Sequence, residues 1–224
     1  GDYFKKEAIN WSFEFLTKEL ALPLDMLAFT VYKGGEGIDK DTESANIWKS
    51  LGVSEKRVAY LGDDNFWIAG DTGPCGPSTE MFYWSGDEKA PESFDPEDER
   101  WVEIWNDVFI MYNKNEDGTL KPLEQKNVDT GMGLERTLAV LSGKKSAYET
   151  DLSLPIIEKS EEISRKKYLF SKGDGGYGTE PKCWSEDVKA MRIIADHIKA
   201  ATFILGDDNK IVPSNVGRGY ILRR

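Results

Sequence analysis

The run "WVEIWNDVFIMYN", residues 101–113, constrains the fold more than any other stretch. Val, Ile and aromatic residues dominate it, so it reads as the longest strand in the chain. A strand so nearly continuously apolar is expected to be central and buried on both faces. By simple alternation, Val102, Ile104, Asn106, Val108 and Ile110 share one face, with Asn106 the polar exception. Shorter strand signals surround it: "AFTVY" (28–32), "NFWIA" (65–69), "EMFYW" (80–84) and "KNVDT" (126–130). "NEDGT" (115–119) is a hairpin turn in which Asp117-Gly118 supplies the positive φ. The Gly- and Pro-rich "GDTGPCGPST" (70–79) reads as a structured loop. Residues 86–100 carry seven acidic residues and two prolines, the mark of a surface insertion.

Helical periodicity frames these strands. "YFKKEAINWSFEFLTKEL" (3–20) carries apolar stripes at helical spacing and a favourably ordered Glu14–Lys18 pair. "TESANIWKSLG" (42–52) is a short helix, with Thr42 as its expected N-cap and Gly52 beyond its end. "LERTLAVLSG" (134–143) is another. From about residue 146 the texture becomes helical: "TDLSLPIIEKSEEISRKK" (150–167), then "SEDVKAMRIIADHIKAATFILG" (185–206), with Ser185 as cap and Val188, Met191, Ile194/Ala195, Ile198, Thr202 and Leu205 on one face. A flexible loop, "SKGDGGYGTEP" (171–181), is expected between them. "PSNVGRGYILRR" (213–224) starts a last helix, capped by Ser214 or Asn215. The fold class is therefore α+β: strands with helices around them, followed by a mainly helical part.

Bulk properties exclude several functions. No apolar run approaches the roughly 20 residues that span a bilayer, and residues 1–11 do not read as a signal peptide. A cytoplasmic protein is expected. Cys75 and Cys183 are the only cysteines and His197 the only histidine, too few for a Cys/His zinc site. The two thiols are expected to be free. His197 lies among apolar positions of its helix and reads as a packed side chain rather than a base for Cys75. "GDGGYG" (173–178) lacks the Lys-Ser/Thr of a phosphate loop. The net charge of −11 argues against a general nucleic-acid coat, yet residues 189–224 hold seven Lys/Arg against three Asp. A basic end on an acidic body suits contact with a nucleic acid there, or is simply a solvated helix face.

The chemistry is concentrated in "VDTGMGLERT" (128–137). A strand delivers Asp129; Gly131 and Gly133 remove side chains where the chain turns into a helix; Arg136 follows in its first turn. A carboxylate can hold an ammonium, bare backbone can carry a flat ring, and a guanidinium can fork onto a phosphate. That layout suits joining an amino acid to a nucleotide. The same residues also fit a glycine-rich helix entry with a surface ion pair. Asn106 has two readings as well: an amide bonded to a neighbouring loop, or one that fixes a small polar substrate with Val108 as an apolar wall.

Taken in order, "NFWIAGDTGPCGPSTE", "EIWNDVFIMYN", "DGTLKPL", "VDTGMGLER", "RIIADHIKAATFIL" and "PSNVGRGYILRR" resemble the alanyl-tRNA synthetases, a family of class II aminoacyl-tRNA synthetases. The resemblance covers nearly the whole chain, and "GMGLER" is similar to the third class II motif. Ser78 stands where the family usually has a second Cys. The resemblance implies a class II antiparallel β-sheet flanked by helices, then a helical tRNA-recognition domain. Residues 1–145 would be a partial catalytic core, with the first motif and most of the second falling before Gly1. Residues 146–224 would be a truncated tRNA-recognition domain. Activation of alanine by ATP with Mg2+, and transfer to the 3′ end of alanine tRNA, are the implied reactions, weak or absent in so short a piece. Zinc and editing modules would lie elsewhere. A non-catalytic acceptor-binding fragment or paralogue is the alternative. Carried over by position, Asp129 would hold the alanine ammonium, Asn106 would bond the amino acid, and Trp67, Val108 and Gly131 would shape its pocket. Gly133 and Arg136 would serve ATP. Asn215 would read the acceptor-stem G·U pair, with Arg218, Arg223 and Arg224 on the RNA backbone.

Overall fold

The computed structural model describes residues 2–35, 37–168 and 186–224. The "SKGDGGYGTEP" segment, Cys183 and the Ser185 cap lie outside the described residues. The chain divides into two compact units, one running to Lys145 and the other from Ser146 onward.

The first unit is built on a six-stranded sheet. Its strands are β1 (Leu27–Tyr32), β2 (Val58–Leu61), β3 (Phe66–Ile68), β4 (Gly73–Trp84), β5 (Trp101–Lys114) and β6 (Leu120–Met132). They lie in the order β2-β1-β4-β5-β6, and β3 also pairs with β4. All pairings are antiparallel except β1 with β2, which is parallel, so the sheet is mixed rather than purely antiparallel. β5 is the longest strand, as its composition requires, but it lies one strand in from the β6 edge rather than at the centre.

Two sequence expectations fail here for physical reasons. The Gly-Pro segment is not a loop from Gly73 onward; it is the first half of β4. Its prolines sit beside a register irregularity between Cys75 and Ser78, where a missing N–H is tolerated. Gly76 is obligatory there, because a Cβ would stand 2.0 Å from the Phe109 carbonyl oxygen. Alternation along β5 also breaks. Met81 pairs with Trp105 but Phe82 with Glu103, which leaves Ile104 as an extra residue in a bulge. Trp101 and Glu103, not Val102 and Ile104, therefore accompany Asn106 and Val108.

One face of the sheet is covered by helices. α1 (Lys5–Glu14) runs on into a wider π turn over Phe15–Glu19, and α2 is Thr42–Ser50. The Trp48 ring of α2 stacks on Phe29 at 4.0 Å, and its Nε1 donates to the Thr79 hydroxyl at 2.8 Å. From α1, Phe4 meets Phe109 and Phe15 from the π turn meets Trp105, both edge to face. Asp41, rather than Thr42, caps α2 by accepting from the Ser44 amide. The same carboxylate receives the buried Lys5 ammonium at 2.7 Å, tying α1 to α2. On the other face, the acidic insertion contributes Ala90 and Phe94 to an apolar cluster with Ala28, Trp84 and Trp101. So this insertion has a hydrophobic underside beneath its charged surface. Beyond that cluster, buried Asn65 covers Thr30 and Ser78 by donating to both hydroxyls, and the face opens to solvent toward β6, at Asp129 and Gly131. α3 (Leu134–Leu141) follows β6.

In the second unit, α4 (Leu154–Ser164) packs on α5 (Glu186–Gly206), and α6 (Gly217–Arg223) ends the chain. Ile157, Tyr168, Val188, Met191 and Ala195 form the core. Only the first half of α5 is packed; Ile194, Ile198 and Leu205, expected on the buried face, are exposed. His197 is exposed as well, not packed. Val216, not Ser214 or Asn215, occupies the N-cap of α6 and gives no side-chain bond. Among the described residues, no helix is long and apolar enough to cross a membrane.

Candidate functional site

Strand register assembles most of the residues singled out above. Glu80, Asn106 and Gly131 lie in one row across β4, β5 and β6. Ser78, Val108 and Asp129 form the next row on the same face. Facing side chains on adjacent strands stand about 4.5–5.5 Å apart at Cβ, so Asn106, Val108, Asp129 and Gly131 make one contiguous floor. Trp67 of β3 is 41% exposed and stands opposite Gly76, two residues along β4 from Ser78. Val108 is buried, while Asp129 and Gly131 are open to solvent. Gly131 leaves a real gap: a Cβ there would be 3.8 Å from Asn106 Oδ1.

At the end of the floor the chain enters α3. The Gly133 amide donates to the Ile104 carbonyl at 2.9 Å, so the bulge residue anchors the turn. Arg136, in the first turn, donates from one terminal nitrogen to the Glu103 carbonyl at 3.0 Å and to its carboxylate at 3.3 Å. Asn106 Nδ2 donates to the other Glu103 oxygen at 3.4 Å. Glu103 thus joins Asn106 to Arg136, a link invisible in the sequence because only the bulge turns it to this side.

Glu80 is the second residue that sequence reading missed. Its carboxylate accepts from the Thr30 hydroxyl at 3.1 Å, and Asn65 Nδ2 donates to that same hydroxyl at 2.9 Å. Burial, and then the charge of Glu103, push the Glu80 carboxyl up to about 7. A carboxyl raised toward neutrality by burial and a like charge, in the row of Asn106 and Gly131, is a candidate functional group. Cys75 is a free, buried thiol pushed up by burial, which disfavours the thiolate a nucleophile needs.

The residues picked out at the basic end lie in the second unit. Asn215, Arg218, Arg223 and Arg224 are all exposed, between the α5–α6 connection and the chain end. The excess of cations there is smaller than composition suggests. Arg192 is buried, donates to the Tyr168 hydroxyl at 2.6 Å and lies over the Tyr148 ring.

A strand-built floor with an acid, two glycines and a helix-borne Arg thus lies on a sheet whose other face is helix-covered. The chain belongs to the class II tRNA synthetases: the family described as "tRNA synthetases class II (A)" matches residues 1–224. Among curated proteins, its sequence is similar to the alanine–tRNA ligase of Treponema denticola, at 50% identity over 230 residues covering all of this chain and 36% of the relative. The alanine–tRNA ligase of Treponema pallidum is 46% identical, again over the whole chain and 36% of the relative. That of Idiomarina loihiensis is 44% identical over the whole chain and 24% of its own length. The chain thus spans about a third of the length of the Treponema relatives.

Proposed function

We propose that this chain supplies part of an alanine–tRNA ligase: residues 1–145 a portion of the catalytic core, residues 146–224 a portion of the tRNA-recognition domain. The observation that carries the reading is the contiguous floor of Asn106, Val108, Asp129 and Gly131 with Arg136 at its end. Asp129 takes the alanine ammonium. Val108 and Trp67 offer apolar walls to its methyl group, and the gap over Gly131 leaves room for the amino-acid backbone. Asn106 presents its amide oxygen toward that gap. A pocket of this kind separates alanine from glycine by only about 1–3 kcal/mol, the worth of one methyl.

Activation joins the alanine carboxylate to the α-phosphate of ATP and expels pyrophosphate. This step needs alignment and charge neutralisation, not a protein nucleophile. Gly133 lets the nucleotide approach the backbone, and Arg136 exchanges Glu103 for phosphate oxygens. Mg2+, when bound, would screen the triphosphate charge. Among the described residues no group of three or more His, Cys, Asp or Glu is placed to hold a metal ion. Asn215 would read the acceptor stem, Arg218, Arg223 and Arg224 would hold its backbone, and the protein would work in the cytoplasm.

Calorimetric titration with alanine tests the core of this reading. Asp129→Asn is expected to weaken binding about tenfold or more, since it removes the ammonium's charged partner. Equal affinity in the two proteins would overturn it. The alternative, an acceptor-binding piece without catalysis, draws on the exposed Asn215 and Arg218. It predicts that a G·U-containing minihelix binds and Asn215→Ala abolishes the preference for that pair, while alanine does not bind.

A further inference from the structure

Directly behind the proposed ammonium site lies a buried acid that the reading above does not use. Asp107 is 1% exposed on the helix-covered face, between Asn106 and Val108. Its cross-strand partner is Thr130, between Asp129 and Gly131. Thr130 Oγ1 donates to Asp107 Oδ1 at 2.6 Å, and Ser12 Oγ of α1 donates to Oδ2 at 2.8 Å. The direction of the first bond is set from outside. Trp105 Nε1, which can only donate, gives its hydrogen to Thr130 Oγ1 at 2.7 Å. The Thr130 hydrogen then has two acceptors within reach, Asp107 Oδ1 at 2.6 Å and the Asn106 carbonyl at 3.4 Å, and the shorter contact is to Asp107. With both hydroxyls donating, both oxygens of Asp107 accept, the pattern that suits an ionised carboxylate. Burial pushes this carboxyl up, and the Thr130 and Ser12 hydroxyls pull it back. Among the described residues, no Lys, Arg or His lies within ion-pair distance of it: the nearby Lys5 is paired with Asp41 and Glu43.

A buried carboxylate without a cation is costly to keep, and an apolar residue would suit a helix-covered sheet face better. We propose that Asp107 is a positioning residue for the ammonium site on the opposite face. It clasps Thr130, and so sets the Asp129–Gly131 segment against Asn106 and Val108. It also places a poorly screened negative charge behind that segment, which favours a cation in front of it. The inference rests on the assignment of the ammonium to Asp129.

The test uses Asp107→Asn, which keeps the shape and removes the charge, with Thr130→Val, which removes the clasp. Two quantities are read on the whole chain: alanine affinity by calorimetry, and amide hydrogen exchange over Val128–Met132. Asp107→Asn is expected to bind alanine about three- to tenfold more weakly while its melting temperature stays level or rises. A merely structural Asp107 would not separate these two. Thr130→Val is expected to speed exchange over Val128–Met132 about tenfold and to weaken alanine as well. Wild-type affinity in Asp107→Asn, or unchanged exchange in Thr130→Val, overturns the proposal. If instead Asp129→Asn leaves alanine binding intact, it is the ammonium assignment that falls, and the electrostatic half of the proposal with it; the exchange data still decide the clasp.

Discussion

The two faces of the β4–β5–β6 sheet are made from alternate residues of the same strands, yet they solve opposite problems. On the covered face, polar groups are few and each is matched: Trp48 with Thr79, Ser12 and Thr130 with Asp107. On the open face, polar groups are many, and those nearest the β6 edge make long contacts or none. Asn106 reaches Glu103 at 3.4 Å, Arg136 reaches its carboxylate at 3.3 Å, and Asp129 points into solvent. The covered face holds the fold, and the open face keeps groups available for exchange with a ligand. Around Asn106 and Asp129, framework and site are thus separated by side-chain parity, while further along the same face Trp84 and Trp101 belong to a buried cluster.

That division can be broken by mutation. Trp48→Ala removes the largest fully buried side chain of the covered face and is expected to cost about 3–5 kcal/mol in urea unfolding. A loss below about 1 kcal/mol would show that the covered face does not carry the fold. On the open face, Glu80 gives a pH signature. Its carboxyl is raised from 4.5 to about 7 in the folded chain, so the folded state holds a proton that the unfolded state releases. The associated stability is complete below about pH 4.5 and is lost as pH rises through about 7. Glu80→Gln should remove a decline of about 1–3 kcal/mol across that window; an unchanged pH profile would show that Glu80 ionises normally. The smallest expected change in stability belongs to Asn106→Ala, at about 1 kcal/mol or less, accompanied by weaker alanine binding. A large stability loss with alanine affinity intact would place Asn106 with the framework.

Much of this division was legible in the sequence, and what was not has identifiable causes. Helical periodicity located α2 and α5 because apolar spacing is a local property of the chain. Asp129, Gly131 and Arg136 stood out because their types are unusual at a strand-to-helix turn. The extension of β4 through Pro74 and Pro77 was hidden, since Gly and Pro signal turns and only pairing on both sides reveals a strand. Glu103 was hidden by the Ile104 bulge, and Glu80 by its distance in sequence from everything it faces. Asp107 carried a signal, an acid inside the apolar run "NDVFIMY", that could have marked it. α5 misled in the other direction: its apolar stripe continues past Ala195, but the packing within its unit does not.

The bulge at Ile104 makes three steps of β5 span what two steps span on β4, between the pairs Asn106–Glu80 and Glu103–Phe82. Deleting Ile104 would make the strand regular and leave Glu103 beside Arg136 and Trp101 with Trp84 and Phe94, because Glu103 would then stand at the ordinary spacing of two from Asn106. Deleting Val102 instead, with the bulge kept, would turn Trp101 away from that cluster. One residue can therefore be lost at the bulge without moving any side chain to the other face, and nowhere else along this part of β5.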